Sequence, residues 1–200
     1  LCHKKKLKAA VNFQLRFSPM MLPLRDALAK GMFGELLEVE VRLACRTPWE
    51  LWPFLEEMES VEVLVHSIHY LDWIRSILGD PSGAYSHAVA HPRYPRLKDA
   101  RNSIILAYDK PVRCSLSLNH TFCQGPRHQA AEIRVEGERG AVVVSLGLLL
   151  NYPKGEQESL EIVTEDVEWT EIPLVGRWFQ DVFIGVMSNL QRYSAGEDPM

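Results

Sequence analysis

Two histidines and a carboxylate share one short stretch, Val61-Glu-Val-Leu-Val-His66-Ser-Ile-His69-Tyr-Leu-Asp72. Imidazole exchanges protons near neutral pH and ligates transition metals, so this spacing suits acid–base chemistry or metal binding. Apolar residues at 61, 64, 65, 68, 71, 74 and 78 recur as on one helical face, and Gly79 and Pro81 end the run. The spacing predicts a largely buried helix over 61–78. Asp72 falls inside its apolar arc and His69 on the edge, while His66 and Trp73 share the neighbouring flank. Burying ionisable groups costs free energy unless they are paired. These side chains are therefore either satisfied core groups or working ones, and periodicity leaves both readings open. As a metal site the pair is incomplete, because zinc takes three or four ligands and only two stand at helical spacing. No metal is expected, and a metal-dependent lyase or hydrolase using His66, His69 and His120 is the third reading.

Further candidates lie on either side. Trp49, Trp52 and Phe54 occupy a loop over 47–60 and suit either a substrate wall or a satellite core under that loop. Asn119 and His120 end a strand that could point into the same cleft, whereas Trp169 and Trp178 read as packing residues.

The elements that must hold these residues follow from pattern. A strand is predicted over Ala10–Phe17, a helix over 20–30 closed by Gly31, and a strand over Glu35–Arg46. After the buried helix, short alternating segments follow at 84–91, 102–109, 112–120, 129–136, 141–145, 159–164 and 168–172. Turns such as Gln124-Gly-Pro126 and Pro153-Lys-Gly155 separate them, and a last helix is predicted over 178–194. Short connections imply a mostly antiparallel sheet. With helices gathered on one face, the fold class is α+β. Gly137-Glu-Arg-Gly140 joins two strands and reads as a hairpin, and no Gly-x-Gly-x-x-Gly turn leads from strand to helix.

The chain has 200 residues, 46% hydrophobic and 24% charged, with a net charge of −4, which suits one globular domain and no nucleic-acid or membrane footprint. Its four cysteines lack Cys-x-x-Cys spacing, so reduced thiols and a cytoplasmic location are expected. No apolar run reaches membrane-spanning length. Leu1-Cys2-His3 leads almost at once into strand-like sequence, as in the middle of a longer protein.

Three stretches together resemble the C-terminal domain of the glucose–fructose oxidoreductase, inositol dehydrogenase and rhizopine-catabolism (Gfo/Idh/MocA) family. They are Val11-Asn-Phe-Gln-Leu-Arg16-Phe-Ser-Pro19 with Gly31-Met-Phe-Gly34-Glu, Ser67-Ile-His69-Tyr-Leu-Asp72 with Leu78-Gly79-Asp-Pro81, and Ile133-Arg-Val-Glu-Gly137-Glu-Arg-Gly140-Ala. The resemblance implies an open, mostly antiparallel sheet of the dihydrodipicolinate-reductase-like type, joined to a Rossmann domain that is missing here. Residues 1–12 would be the tail of that cofactor domain, and 13–200 the substrate-binding and oligomerisation domain. It implies hydride transfer between NAD or NADP and a sugar, cyclitol or related polyol. His69 matches the family's catalytic histidine, Arg16 an arginine near the cofactor, and His66, Trp49, Trp52 and His120 would border the substrate. Salt-bridging within a strand is the other reading of Arg16. The family's aspartate four residues before the histidine is Val65 here, so a non-catalytic binding or oligomerisation domain is the alternative. No cofactor is expected on this chain alone, and self-association through the open sheet face is expected.

Overall fold

Inward-pointing apolar residues alternate with polar ones along Leu36–Ala44 (β1), and this strand lies at the centre of an eight-stranded sheet. The computed structural model describes residues 2, 4–148 and 156–197. The other strands are Gly83–Val89 (β2), Arg101–Ala107 (β3), Arg113–Asn119 (β4), Ala130–Gly137 (β5), Gly140–Ser145 (β6), Ser159–Thr164 (β7) and Val167–Glu171 (β8). Their order is β2-β3-β4-β1-β5-β6-β7-β8. Among the described residues only the β1–β4 pair is parallel, since the whole of 45–112 lies between those strands and parallel neighbours need a long crossover. Val41 pairs with Leu116 on one side and Ile133 on the other.

These inward residues share one core with Met21 and Leu24 of Met21–Ala29 (α1) and with Trp73, Ile74 and Leu78 of Ile68–Leu78 (α2). A third helix, Trp178–Ala195 (α3), packs on a 3-10 turn at Gln14–Phe17, where a Cβ on Gly185 would sit 2.6 Å from Phe17 Cβ. The α+β class and the mostly antiparallel sheet stand as read from the pattern. The β5–β6 hairpin also stands, and only glycine fits its position 137, because an added Cβ would lie 2.2 Å from the Phe33 carbonyl oxygen.

Five expectations need correction or qualification. Ala10–Phe17 forms no strand: Gln14–Phe17 coils into a 3-10 turn closed by Ser18, whose Oγ donates to the Leu15 carbonyl at 2.8 Å. The helix predicted over 61–78 begins as a π-turn, Glu62–His66, with Ser67 N–H donating to the Glu62 carbonyl at 2.7 Å. That wider turn shifts the phase, so Leu64 is exposed and Glu62 is buried. The sheet's open face is largely polar, because Ile104, Leu106, Val142 and Val144 all turn into the core. Glu40, Arg42 and Arg134 occupy its middle, and Tyr85, Val89, Ile105 and Trp169 are among its exposed apolar side chains. Trp169 is therefore not a packing residue within this chain. The predicted turn at Pro153–Gly155 lies outside the described residues. Cys2, Cys45, Cys114 and Cys123 are free thiols, and no helix among the described residues is long and apolar enough to cross a membrane.

Candidate functional site

Helix α2 presents its first turn to the segment entering from residue 13. Arg16 grips Asp72 through both carboxylate oxygens, with Nη2 donating to Oδ1 at 2.6 Å and to the Asp72 carbonyl at 3.1 Å. The Asp72 side chain is 8% exposed and Arg16 40% exposed, so the pair is a clamp at the edge of the core. His69 lies one turn before this clamp, half-buried, with the Phe13 ring edge-on at 6.2 Å between centroids. Its Nδ1 is buried without a hydrogen-bond partner. Burial pulls the His69 pKa down, opposed by the nearby Asp72 carboxylate, so the imidazole is neutral at pH 7 and able to accept a proton.

Behind this turn lies a second, deeper cluster. Asp99 seats the π-turn: Oδ1 accepts from Val61 N–H at 2.9 Å and Oδ2 from Glu62 N–H at 3.1 Å and Ser60 Oγ at 2.5 Å. The widened turn delivers the Glu62 carboxylate, 0% exposed, to His120 just beyond β4. Glu62 Oε1 accepts from Ser67 Oγ and stands 3.2 Å from His120 Nε2, within ion-pair distance but poorly aligned as a hydrogen bond. On its other side, His120 Nδ1 contacts Thr47 Oγ1 at 2.9 Å and Cys45 Sγ at 3.6 Å. His66 stacks tilted against His120 at 4.2 Å, and Trp49 closes the cluster edge-on to His66 at 5.2 Å.

The charges follow from these contacts. Burial opposes a proton on His120, but its contacts with Cys45 and the Glu62 carboxylate outweigh that and raise its pKa to about 9. Of these, the formal anion is the physically decisive one. His66 goes the other way, to about 3, through burial and then repulsion from His120 and His69. At neutral pH His120 is an imidazolium and His66 a neutral imidazole.

The sequence candidates thus fall into distinct environments. His66, His120 and Trp49 come together, but Trp49 is 3% exposed, belongs to a satellite core with Leu55, Val61 and Leu97, and donates Nε1–H to the His120 carbonyl at 3.2 Å. The satellite-core reading of that loop therefore applies to Trp49, whereas Trp52 and Phe54 are exposed. Arg16 is salt-bridged to a helix residue and does not lie in a strand. His69 takes its ring contact from Phe13, whereas His66 and His120 stack on each other. Sequence reasoning missed Glu62, Asp99, Thr47 and Ser67. Glu62 carried a signal, as a lone carboxylate in Val61-Glu-Val-Leu-Val one turn before a histidine. Thr47 and Asp99 carried none, being distant in the chain. A depression of about 530 Å³ lined by Glu158, Glu171, Leu174 and Arg177 shares no residue with either centre and offers no histidine.

Residues 21–143 match the family model described as the GFO/IDH/MocA C-terminal domain. No curated protein matches the chain. Among solved structures, an oxidoreductase from Agrobacterium radiobacter in complex with NAD+, L-tartaric acid and magnesium superposes with a TM-score of 0.75 at 17% identity, covering 99% of this chain and 58% of that one. An aldose-aldose oxidoreductase from Caulobacter crescentus complexed with glycerol gives 0.76 at 14% identity, with 100% and 57% covered. A UDP-N-acetylglucosamine 3-dehydrogenase from Acidithiobacillus ferrooxidans gives 0.71 at 18%, with 99% and 56% covered. At such identities the likeness is one of fold, and the chain spans a little over half the length of these structures.

Proposed function

Because the chain belongs to the GFO/IDH/MocA family through its C-terminal domain, we propose that it is the substrate-binding part of an NAD(P)-dependent oxidoreductase acting on a sugar, cyclitol or related polyol. The observation that carries this reading is His69. It is a neutral, half-buried imidazole with an unpaired Nδ1, placed on the first turn of a helix that the Arg16–Asp72 clamp fastens to the incoming chain. An imidazole so placed can take the proton of a carbinol hydroxyl as the carbon is oxidised, and return it in the reverse direction. Exposed Trp52 supplies an apolar face for sugar C–H surfaces, with His66, His120 and Trp49 shaping the site from behind. The ligands in the structural relatives, L-tartaric acid and glycerol, are of this hydroxylated class.

The described residues do not themselves fit a dinucleotide. They form one mostly antiparallel sheet, with no Gly-x-Gly-x-x-Gly turn leading from a strand into a helix N-terminus. In this reading the nicotinamide is held by another part of the parent protein, for which residues 1–12 are the tail and 13–200 the substrate domain. Arg16 stands at that junction with its guanidinium partly exposed, where it would approach the cofactor. Self-association through the open sheet face is part of the proposal, with Tyr85, Ile105 and Trp169 as its apolar contacts.

One observation favours the non-catalytic alternative: Val65 packs on the satellite core where the resemblance expects an aspartate beside His69. Assaying NAD(P)H formation by the full-length parent against a panel of polyols separates the two readings. Turnover that falls by about 10²- to 10⁴-fold in His69→Ala is the expected result. No turnover on any polyol, or turnover within about threefold of wild type in the variant, well below that general-base range, would favour the binding domain.

A further inference from the structure

We propose that Glu62, His66 and His120 form a binding site for a divalent transition-metal ion of the zinc type. One ligand atom from each of these residues lies within 4.8 Å of the others. Glu62 and His66 bound one π-turn, and His120 joins them from a strand end only in the folded chain.

The cluster is built as a ligand set in three respects. First, its atoms are unmatched: Glu62 Oε2, His66 Nδ1 and His120 Nε2 are all buried without a hydrogen-bond partner. Buried polar groups are normally satisfied, and three orphans in one place call for a common partner. An ion pair between Glu62 and His120 alone leaves the other two atoms unmatched, whereas one cation answers all three. Second, the spacing is close to what coordination needs. Ligands at about 2.0–2.1 Å around a tetrahedral ion stand roughly 3.3 Å apart, and His120 Nε2 and Glu62 Oε1 are already 3.2 Å apart. His66 is the least buried of the three, and a shift of its side chain would close the remaining distance. Third, an outer layer is in place. Thr47 Oγ1 at 2.9 Å from His120 Nδ1 can fix the tautomer that presents Nε2, and Ser67 Oγ orients the Glu62 carboxylate.

Two imidazoles and one carboxylate suit zinc, cobalt or iron over magnesium or calcium. Three protein ligands leave one coordination position for water or a substrate oxygen. The histidine pair suggested by helical spacing is not the chelate: His69 lies outside the ligand set, which is completed by nearby Glu62 and by His120 from farther along the chain.

The test is metal uptake by the chelator-treated chain, followed by titration calorimetry with Zn2+ and by the visible spectrum of the Co2+ form. One ion per chain is expected, with low-symmetry cobalt bands. Glu62→Gln and His66→Asn should each weaken uptake on the order of 100-fold or more, since even losing a partner outside the ligand shell costs 10- to 100-fold. His66→Asn leaves the Glu62–His120 pair intact, so it remains informative if Glu62→Gln does not fold, as judged by circular dichroism. His69→Ala and the exposed-strand variant His87→Ala should bind as wild type. No uptake, uptake unaffected by His66→Asn, or weak binding that falls equally in His87→Ala would each overturn the proposal. Because the readout is stoichiometry and not turnover, failure here leaves the dehydrogenase reading standing, and the reverse also holds.

Discussion

Removing the Arg16 side chain would leave the Asp72 carboxylate, 8% exposed, without its cation, whereas removing Asp72 would leave a guanidinium that is already 40% exposed. The two variants should therefore differ although they break the same bonds. Breaking a buried pair by deleting one partner costs about 3–5 kcal/mol when the other charge stays buried. Arg16→Ala approaches that lower bound, at about 3 kcal/mol. Asp72→Ala should cost less, about 1–2 kcal/mol, because water screens and solvates the guanidinium that remains. For a chain of this size each kcal/mol moves Tm by about 2–4 °C, so Arg16→Ala should melt about 6–12 °C below wild type. The double variant should be more stable than the sum of the single losses implies, with a coupling energy of about 1–2 kcal/mol. Urea unfolding followed by circular dichroism and by tryptophan fluorescence, to which buried Trp73 contributes, measures all four corners of the cycle. An Arg16→Ala loss under about 1 kcal/mol, or a larger loss in Asp72→Ala, would refute the claim that burial of Asp72 sets the asymmetry.

In metal-free protein, stability should peak near pH 6.5. His66 has a folded pKa depressed to about 3, so its contribution is present above pH 6.5 and lost as pH falls towards 3. His120 has a folded pKa raised to about 9, so its contribution is present below pH 6.5 and lost as pH rises through 9. Each limb is limited to about 1.4 kcal/mol per pH unit for a single proton, and a flat urea-midpoint profile across pH 5–9 would contradict both assignments. Asp99→Ala removes three bonds at the start of the π-turn and should cost about 1–3 kcal/mol in urea unfolding; a neutral result would mean that the turn is held elsewhere. Gly185→Val places its side chain against Phe17 and should lower stability by about 1–3 kcal/mol in the same assay, whereas an unchanged midpoint would show that α3 can lift off the 3-10 turn. Light scattering at tens of micromolar should find the chain associated, and a strict monomer would count against the open-face interface.

The strand pattern was readable because it is local. Alternation over Leu37-Glu-Val-Glu-Val41 and its counterparts dictates which face turns inward, and the observed strands begin and end within one or two residues of the expected bounds. Caps and hairpins were readable for the same reason, since Gly31 adopts a φ of +66 and Gly137 pairs with Gly140 within a few residues of chain. Family resemblance lay in motif order, and residues 21–143 match the family model. Alternation in Ala10–Phe17 misled, because a strand also needs a partner edge and Arg16 finds Asp72 across 56 residues instead. Helical periodicity misled at 61–66, because it assumes a constant pitch, and Asp99, 37 residues away, anchors a π-turn that buries Glu62 and exposes Leu64. The Glu62–His66–His120 cluster depends on that turn, on the Thr47 contact and on the parallel placing of β1 beside β4. Groups this far apart in sequence interact only after the core has closed around them, so their pairing was decided by tertiary packing, which local pattern does not encode.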